Sequence, residues 1–345
     1  MSRRYILIGL LILLLIGSQS VFASAPKVGT SAAPELFIPM GARNVALGGA
    51  NIANVGGAEG IYWNPAGLAK MNVASATFNY MQYFADMKVS YLAAGARVGR
   101  SGAVGIAFQV MDIGEIEVTT IDMPEGTGEM LSPDYLTVTA TYSNRFTDRI
   151  SFGTNAKMIS EKVGNMSASA VAFDFGLQYV SPFGIAFGVT MRNIGSKLQW
   201  DGTGIEFDSS VPWAGPTATS RKTKLDLAEE ELPASMNMGL GYTMNFGTMH
   251  KLSLAGAYSN NTFMLDAIST GAEYSLNDML FLRGGYMMTL YPEDYESGYE
   301  KAQYGLTFGF GLNLNMGGNK IMFDYANRPM DIFDANQYFS VSFAF

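Results

Sequence analysis

Apolar and polar positions alternate along most of this chain. From Gln303 to Met316, the side chains Tyr304, Leu306, Phe308, Phe310, Leu312, Leu314 and Met316 fall on one face, opposite Gln303, Gly305, Thr307, Gly309, Gly311, Asn313 and Asn315. Successive side chains of an extended strand point to opposite faces, so the pattern predicts a strand with one greasy face and one small or polar face. The stretch 167–180 repeats it, with Val171, Phe173, Phe175, Leu177 and Tyr179 against Ala170, Ala172, Asp174, Gly176 and Gln178. In 150–157, Ser151, Gly153, Asn155 and Lys157 alternate with Ile150, Phe152, Thr154 and Ala156. The small or polar face recurs so regularly that it should meet a confined, partly hydrated interior, with the large apolar face turned outward.

About fourteen such segments are expected, at 72–85, 87–98, 102–113, 134–145, 150–161, 167–180, 184–197, 233–246, 250–260, 266–276, 279–290, 302–316, 319–326 and 336–345. Each is close to the ~9–11 residues that a tilted strand needs to cross a bilayer. The links sort by parity. Gly99-Arg100-Ser101, Arg145-Phe146-Thr147-Asp148, Ser181-Pro182-Phe183, Gly247-Thr248-Met249-His250, Asn277-Asp278 and Gly317-Gly318 are short, whereas the long links near 114–133, 198–232 and 291–301 all fall at the other parity. Short turns at one rim and long loops at the other define an all-β fold, a transmembrane antiparallel β-barrel with both chain ends on the periplasmic side.

Composition agrees. Apolar residues make up 48% and charged residues 15% of the chain, against about 25% charged in an ordinary soluble domain. Beyond the first residues no run approaches the ~18 apolar residues of a membrane helix. Arg3 and Arg4 precede an apolar run from Tyr5 to Ile16, followed by Val21-Phe22-Ala23. This predicts a signal peptide over 1–23, cleaved after Ala23. The chain has no cysteine, which excludes disulfides, thiolate metal sites and an acylated lipoprotein cysteine. A net charge of −8 argues against nucleic acid as a partner.

The stretch Met40 to Met71 breaks the alternation. It is rich in Gly and Ala, too poor in bulky apolar groups to build its own core, and must pack inside something. Tyr62-Trp63-Asn64-Pro65-Ala66-Gly67-Leu68 has tight-turn chemistry: Asn64 can cap its own backbone, Pro65 drives Asn64 out of the helical region, and Gly67 tolerates positive φ. A barrel of about fourteen strands leaves a sizeable lumen unless something fills it. Residues 24–71 are therefore expected as a hatch inside a barrel formed by 72–345.

Gly41-Ala42-Arg43, Leu47-Gly48-Gly49-Ala50 and Asn64-Pro65-Ala66-Gly67-Leu68-Ala69 resemble the N-terminal signature of the FadL-like, long-chain fatty acid transporter type of outer-membrane barrel, and Trp63 before Asn64 is closer to the PorV/PorQ branch. Many members carry an Asp-containing step before Asn-Pro-Ala, where this chain has Gly56-Gly57-Ala58-Glu59-Gly60. The resemblance implies a lumenal hatch with Gly41, Arg43, Gly48, Gly49, Trp63, Asn64, Pro65, Ala66 and Gly67 as its motif residues. It also implies a place in the bacterial outer membrane among lipid. The end of the chain, with Phe339, Val341, Phe343 and Phe345 alternating with small residues, looks like the signal read by the outer-membrane insertion machinery, carried by Phe343 and Phe345.

Candidate chemistry is sparse. His250 is the only histidine, in an expected turn, so neither a histidine-based catalytic dyad nor a metal site is expected, and no cofactor or enzyme activity. Gly48-Gly49 lacks the Lys-Ser/Thr step of a phosphate loop. Lys157, Asp174, Arg192, Glu273, Arg283 and Asp324 face inward by parity and are expected to pair with one another across the lumen. The acidic runs 292–296 and 226–231 read as solvated loops rather than calcium sites. Three functions stay open. One is a type IX-like secretion role, engaging secreted protein cargo through an outer loop carrying Pro212, Trp213 and Pro216. The others are a FadL-like diffusion route for a hydrophobic small ligand, with a lateral opening in the wall, and an envelope scaffold.

Overall fold

The computed structural model describes residues 29–209, 221–291, 305–330 and 333–345. The expected signal peptide, the acidic run 292–296 and Pro212, Trp213 and Pro216 lie outside the described residues.

Fourteen antiparallel strands form a closed barrel. They are β1 (Ala74–Gln82), β2 (Lys88–Val98), β3 (Gly102–Asp112), β4 (Asp134–Arg145), β5 (Ile150–Val163), β6 (Met166–Val180), β7 (Ile185–Gly195), β8 (Ser235–Phe246), β9 (His250–Asn261), β10 (Ala267–Leu276), β11 (Leu280–Thr289), β12 (Leu306–Met316), β13 (Asn319–Arg328) and β14 (Asn336–Ala344). Each pairs with its sequence neighbour, and β1 closes on β14 from Ser75↔Ala344 to Gln82↔Gln337. The strands predicted from alternation match in number and nearly in extent. His250, counted both in the expected turn 247–250 and in the expected strand 250–260, opens β9 and so belongs to the strand and not to the turn.

The short turns sit at one rim. Two of them, Asn277-Asp278 (φ 55 and 51) and Gly317-Gly318 (φ 60 and 95), hold positive φ at both central residues, the geometry whose twist suits a two-residue hairpin. At the opposite rim the links are longer, with the exception of residues 164–165 between β5 and β6. Short paired segments decorate that outer rim. Ile116–Glu117 pairs with Met130–Leu131, Glu206–Ser209 pairs with Arg221–Lys224, and Trp200–Gly202 adds to the outer end of β6.

Burial follows the predicted parity. In β6, Ala168, Ala170, Ala172, Asp174 and Gln178 are buried while Val171, Phe173, Phe175, Leu177 and Tyr179 face outward. Such an outward apolar band stabilises the barrel only in a lipid environment. Residues 32–71 occupy the lumen as a plug. Ile38, Met40, Val45, Ile52, Val55, Ile61, Trp63 and Leu68 pack with Met81, Val89, Tyr91, Met111 and Tyr338 of the inner wall in one apolar core. Nearer the outer rim, Ala32, Ala33 and Leu36 pack with Ile159, Leu198 and Leu232.

Candidate functional site

The hatch is a chain of short turns: 3-10 turns at Pro34–Phe37, Gly57–Glu59 and Pro65–Lys70, with helices α1 (Ala42–Ala46) and α2 (Gly60–Trp63). Asn64 separates α2 from the Pro65–Lys70 turn, with φ −157 and ψ 106, as the following proline requires. Its Oδ1 accepts from Ala66 N–H at 3.2 Å, while its Nδ2 donates to Ile52 O at 3.1 Å and Leu177 O at 3.2 Å. One side chain thus caps the turn and joins hatch to wall. Gly67 differs from the expectation. It lies inside the 3-10 turn, and its need is space: a Cβ there would stand 2.5 Å from Val55 O. Gly48 and Gly49 do hold positive φ, 66 and 79. Trp63 donates its indole N–H to Met40 O at 2.7 Å, and Tyr62 its hydroxyl to Ile38 O at 2.7 Å, tying α2 to the start of the hatch.

The hatch makes one circuit of the inner wall, in the order opposite to the strands. Ala42 N–H donates to Ser340 Oγ of β14 at 2.8 Å, and Thr307 Oγ1 of β12 donates to Ala46 O at 3.1 Å. Gln178 of β6 donates to Ile52 O and Val55 O, Asn155 of β5 to Ile61 O, and Ser143 and Arg145 of β4 to Ala66 O and Ala69 O. Inward polar side chains of the wall thus satisfy hatch carbonyls that burial would otherwise leave at a cost of about 1–3 kcal/mol each. Wall glycines let the hatch backbone come this close. A Cβ on Gly153 would stand 2.2 Å from Pro65 C, on Gly176 2.2 Å from Asn64 Oδ1, on Gly188 2.7 Å from Ile52 O, on Gly271 2.6 Å from Leu47 O, on Gly285 2.2 Å from Gly48 N, and on Gly309 2.6 Å from Ala46 Cβ. Gly41 faces Asn79 of β1 and the Trp63 ring nitrogen, completing the circuit.

Two charged networks flank this belt and take in all six inward charges named from parity. In the first, Arg43 of α1 meets Glu273 of β10 through both Nε (3.0 Å) and Nη2 (2.9 Å). Arg283 of β11 joins Glu273 at 2.6 Å and Asp324 of β13 at 2.6 Å. In the second, Lys157 of β5 lies 2.7 Å from Asp174 of β6 and donates to Asn193 Oδ1 of β7 at 2.8 Å. Arg192 of β7 lies over the Tyr62 ring, 4.3 Å from its centroid. Asn193 holds φ 58, and the β6–β7 register shifts between Phe173 and Phe175 opposite it. Asp174 Oδ1 accepts from Asn193 N–H at 2.8 Å across this irregularity.

Sequence reasoning missed several participants. Asn155 and Gln178 lay on the expected inward face and could have been counted. Asn193 gave no signal, because its importance comes from a bulge. Glu35 and Glu59 are acidic hatch residues drawn into the lumen: burial pushes the Glu35 carboxyl up to about 8, helped by the facing Glu161, and pushes Glu59 up to about 7 against the attraction of Arg43. Among the described residues no group of three His, Cys, Asp or Glu is arranged to hold a metal ion. At the seam, Phe343 lies between Ala76 and Ile321, and Phe345 N–H donates to Ala74 O at 3.0 Å.

A closed fourteen-stranded barrel with a lipid-facing apolar band and an N-terminal hatch is the architecture of FadL-like outer-membrane proteins. Solved structures with this fold include the CymD monoaromatic hydrocarbon channel (TM-score 0.58, 15% identity, 89% of this chain and 97% of that one). The Ralstonia pickettii toluene transporter TbuX is similar at TM-score 0.56, 14% identity and coverage of 88% and 98%. A Pseudomonas aeruginosa FadL homologue is similar at TM-score 0.53, 13% identity and coverage of 89% and 98%. Among curated proteins no sequence matches the chain. The family described as Type IX secretion system protein PorV matches residues 22–213, more than half the chain, and this outer-membrane barrel belongs to that family.

Proposed function

We propose that this barrel serves type IX protein secretion by engaging secreted cargo at its outer rim. The observation that carries the reading, beside the family itself, is the seating of the hatch. A segment fastened round the whole inner wall, with backbone against glycine, suits a plugged platform better than an open conduit. The partner surface belongs to the long β7–β8 connection. Its base is fixed by paired hydrogen bonds between Leu198 and Glu230, both 2.8 Å, and by Lys224 paired with Asp201. Its end also touches the hatch, since Ala32 N–H donates to Glu231 O at 3.1 Å. Aromatic and proline residues such as Trp213, Pro212 and Pro216 offer apolar contact area at low entropic cost. Deleting residues 206–224 should abolish recovery of secreted proteins with the barrel from native membranes while the barrel still assembles. Unchanged recovery would overturn the proposal.

A second reading is a diffusion route for hydrophobic small molecules, the role that the similar monoaromatic hydrocarbon channel CymD and toluene transporter TbuX are named for. The β6–β7 irregularity at Asn193 favours it, since a bulge beside the hatch is where a wall could part. Under this reading the same deletion leaves protein recovery unchanged, and substituting Asn193 alters uptake of an apolar compound.

A further inference from the structure

Between hatch and wall, toward the outer ends of the strands on the β2–β7 side, lies a small cavity lined by Leu36, Ile61 and Tyr62 of the hatch and by Tyr91, Gln109, Thr137, Thr139, Lys157 and Arg192 of the wall. Its space admits little more than one water-sized occupant. Three of its buried polar atoms have no hydrogen-bond partner: the Tyr91 hydroxyl, Thr137 Oγ1 and Arg192 Nε. Each can donate a hydrogen, and Arg192 Nε can do nothing else. Tyr62 donates its hydroxyl to Ile38 O and turns its ring to the guanidinium, and its one oxygen cannot accept from all three.

The charge count points the same way. Lys157 and Arg192 bring two positive charges against the single carboxylate of Asp174, which three donors hold in its ionised form: Lys157 at 2.7 Å, Asn155 Nδ2 at 2.8 Å and Asn193 N–H at 2.8 Å. The nearby Glu35 carboxyl, pushed up to about 8, is largely neutral at pH 7 and supplies no balancing charge. A buried excess cation without a counter-ion costs several kcal/mol. Donors lining one small space would suit a water as well as an anion, and the surplus positive charge is what favours the anion.

We propose that this cavity binds one monovalent anion of halide size, held by Arg192 Nε, the Tyr91 and Thr137 hydroxyls and the charge of Lys157. The anion neutralises the network beneath Tyr62 and so fastens α2 of the hatch to β2, β4 and β7. The inference does not depend on whether the barrel handles cargo or small molecules.

The test uses the full barrel purified in detergent without halide, its thermal transition followed on adding sodium chloride or bromide against sodium gluconate at equal ionic strength. The expected result is a saturable upward shift with either halide and none with gluconate, and a halide midpoint at least tenfold higher in Arg192→Gln. Equal shifts in halide and gluconate would mean that only general screening acts, and would overturn the site. Should Arg192→Gln fail to assemble, Tyr91→Phe and Thr137→Val, which each remove one donor and little volume, take its place. Crystals grown in bromide give an independent reading: an anomalous peak between Tyr91, Thr137 and Arg192 is expected, and its absence at saturating bromide would overturn the proposal.

Discussion

Arg43 of the hatch grips Glu273 of the wall side-on, with Nε 3.0 Å from Oε2 and Nη2 2.9 Å from Oε1, while Arg283 holds the same Oε2 from the other side at 2.6 Å. The arginine that belongs to the motif therefore does its work by ion pairing across the lumen. Removing it leaves Glu273 and Asp324 with Arg283 alone. Replacing Arg43 by Met should weaken hatch seating by about 2–5 kcal/mol, toward the lower end because the Arg43 side chain keeps 29% exposure. Single-barrel recordings in planar bilayers should then show intermittent conductance absent from the parent. Glu273→Gln should behave alike, and the double variant should be far less than additive. Full additivity would mean that the two residues act separately.

Gly284 and Gly285 are neighbours on β11 with opposite outlooks. A Cβ on Gly285 would collide with Gly48 N and Leu47 C, both at 2.2 Å, whereas one on Gly284 would meet nothing nearer than Thr307 O at 4.0 Å. Gly285→Ala should therefore unseat the hatch locally and raise protease cutting within residues 41–68, while Gly284→Ala leaves cutting unchanged. Equal protection of both variants would show that the hatch is not pressed against the wall as described.

The barrel was legible because its signal is repeated: period-two alternation is local and survives whatever lies on either side of a strand. Hatch and wall glycines were visible as a composition, and the structure turns them into pairs such as Gly285 with Gly48 and Gly176 with Asn64. Partners were less legible. Parity placed Lys157 and Asp174 on the inner face, but only closure and register bring Asn193 beside both, through a bulge that no alternation encodes. Glu35 was invisible as a lumenal residue because nothing in its local sequence says that its carboxyl will face Glu161 in the barrel wall.

Glu35 gives the hatch a pH dependence whose sign follows from its raised pKa. Below about 4.5 its carboxyl is neutral whether the hatch is seated or released. Between about 4.5 and about 8 the released form ionises and the seated form does not, so seating weakens as pH rises through this window, and no further change follows above it. The thermal transition of the purified barrel should fall from pH 5 to pH 8. Glu35→Gln should flatten most of that fall, leaving the smaller part due to Glu59, pushed up to about 7. A wild-type transition that rises over the same range would contradict the assignment.

Phe345 separates the stability of the finished barrel from the rate of its making. Its backbone N–H donates one hydrogen bond, to Ala74 O at 3.0 Å, at the lower end of the seam that eight further register pairs from Ser75↔Ala344 to Gln82↔Gln337 already close. Its ring lies outside, half exposed, with no part in the lumenal core. Losing that bond costs about 0.5–1.5 kcal/mol, and part of the ring's contact with lipid is lost as well. The heat needed to unfold a barrel truncated at Ala344, read from gel mobility, should therefore shift by only a few degrees. Insertion is another matter if the terminal aromatic is the feature recognised by the assembly machinery, because recognition precedes seam closure. Pulse-chase labelling should then show the truncated chain reaching the heat-modifiable form several-fold more slowly than the full chain. A normal rate combined with a large loss of thermal stability would reverse the argument, making Phe345 a seam residue and not a signal.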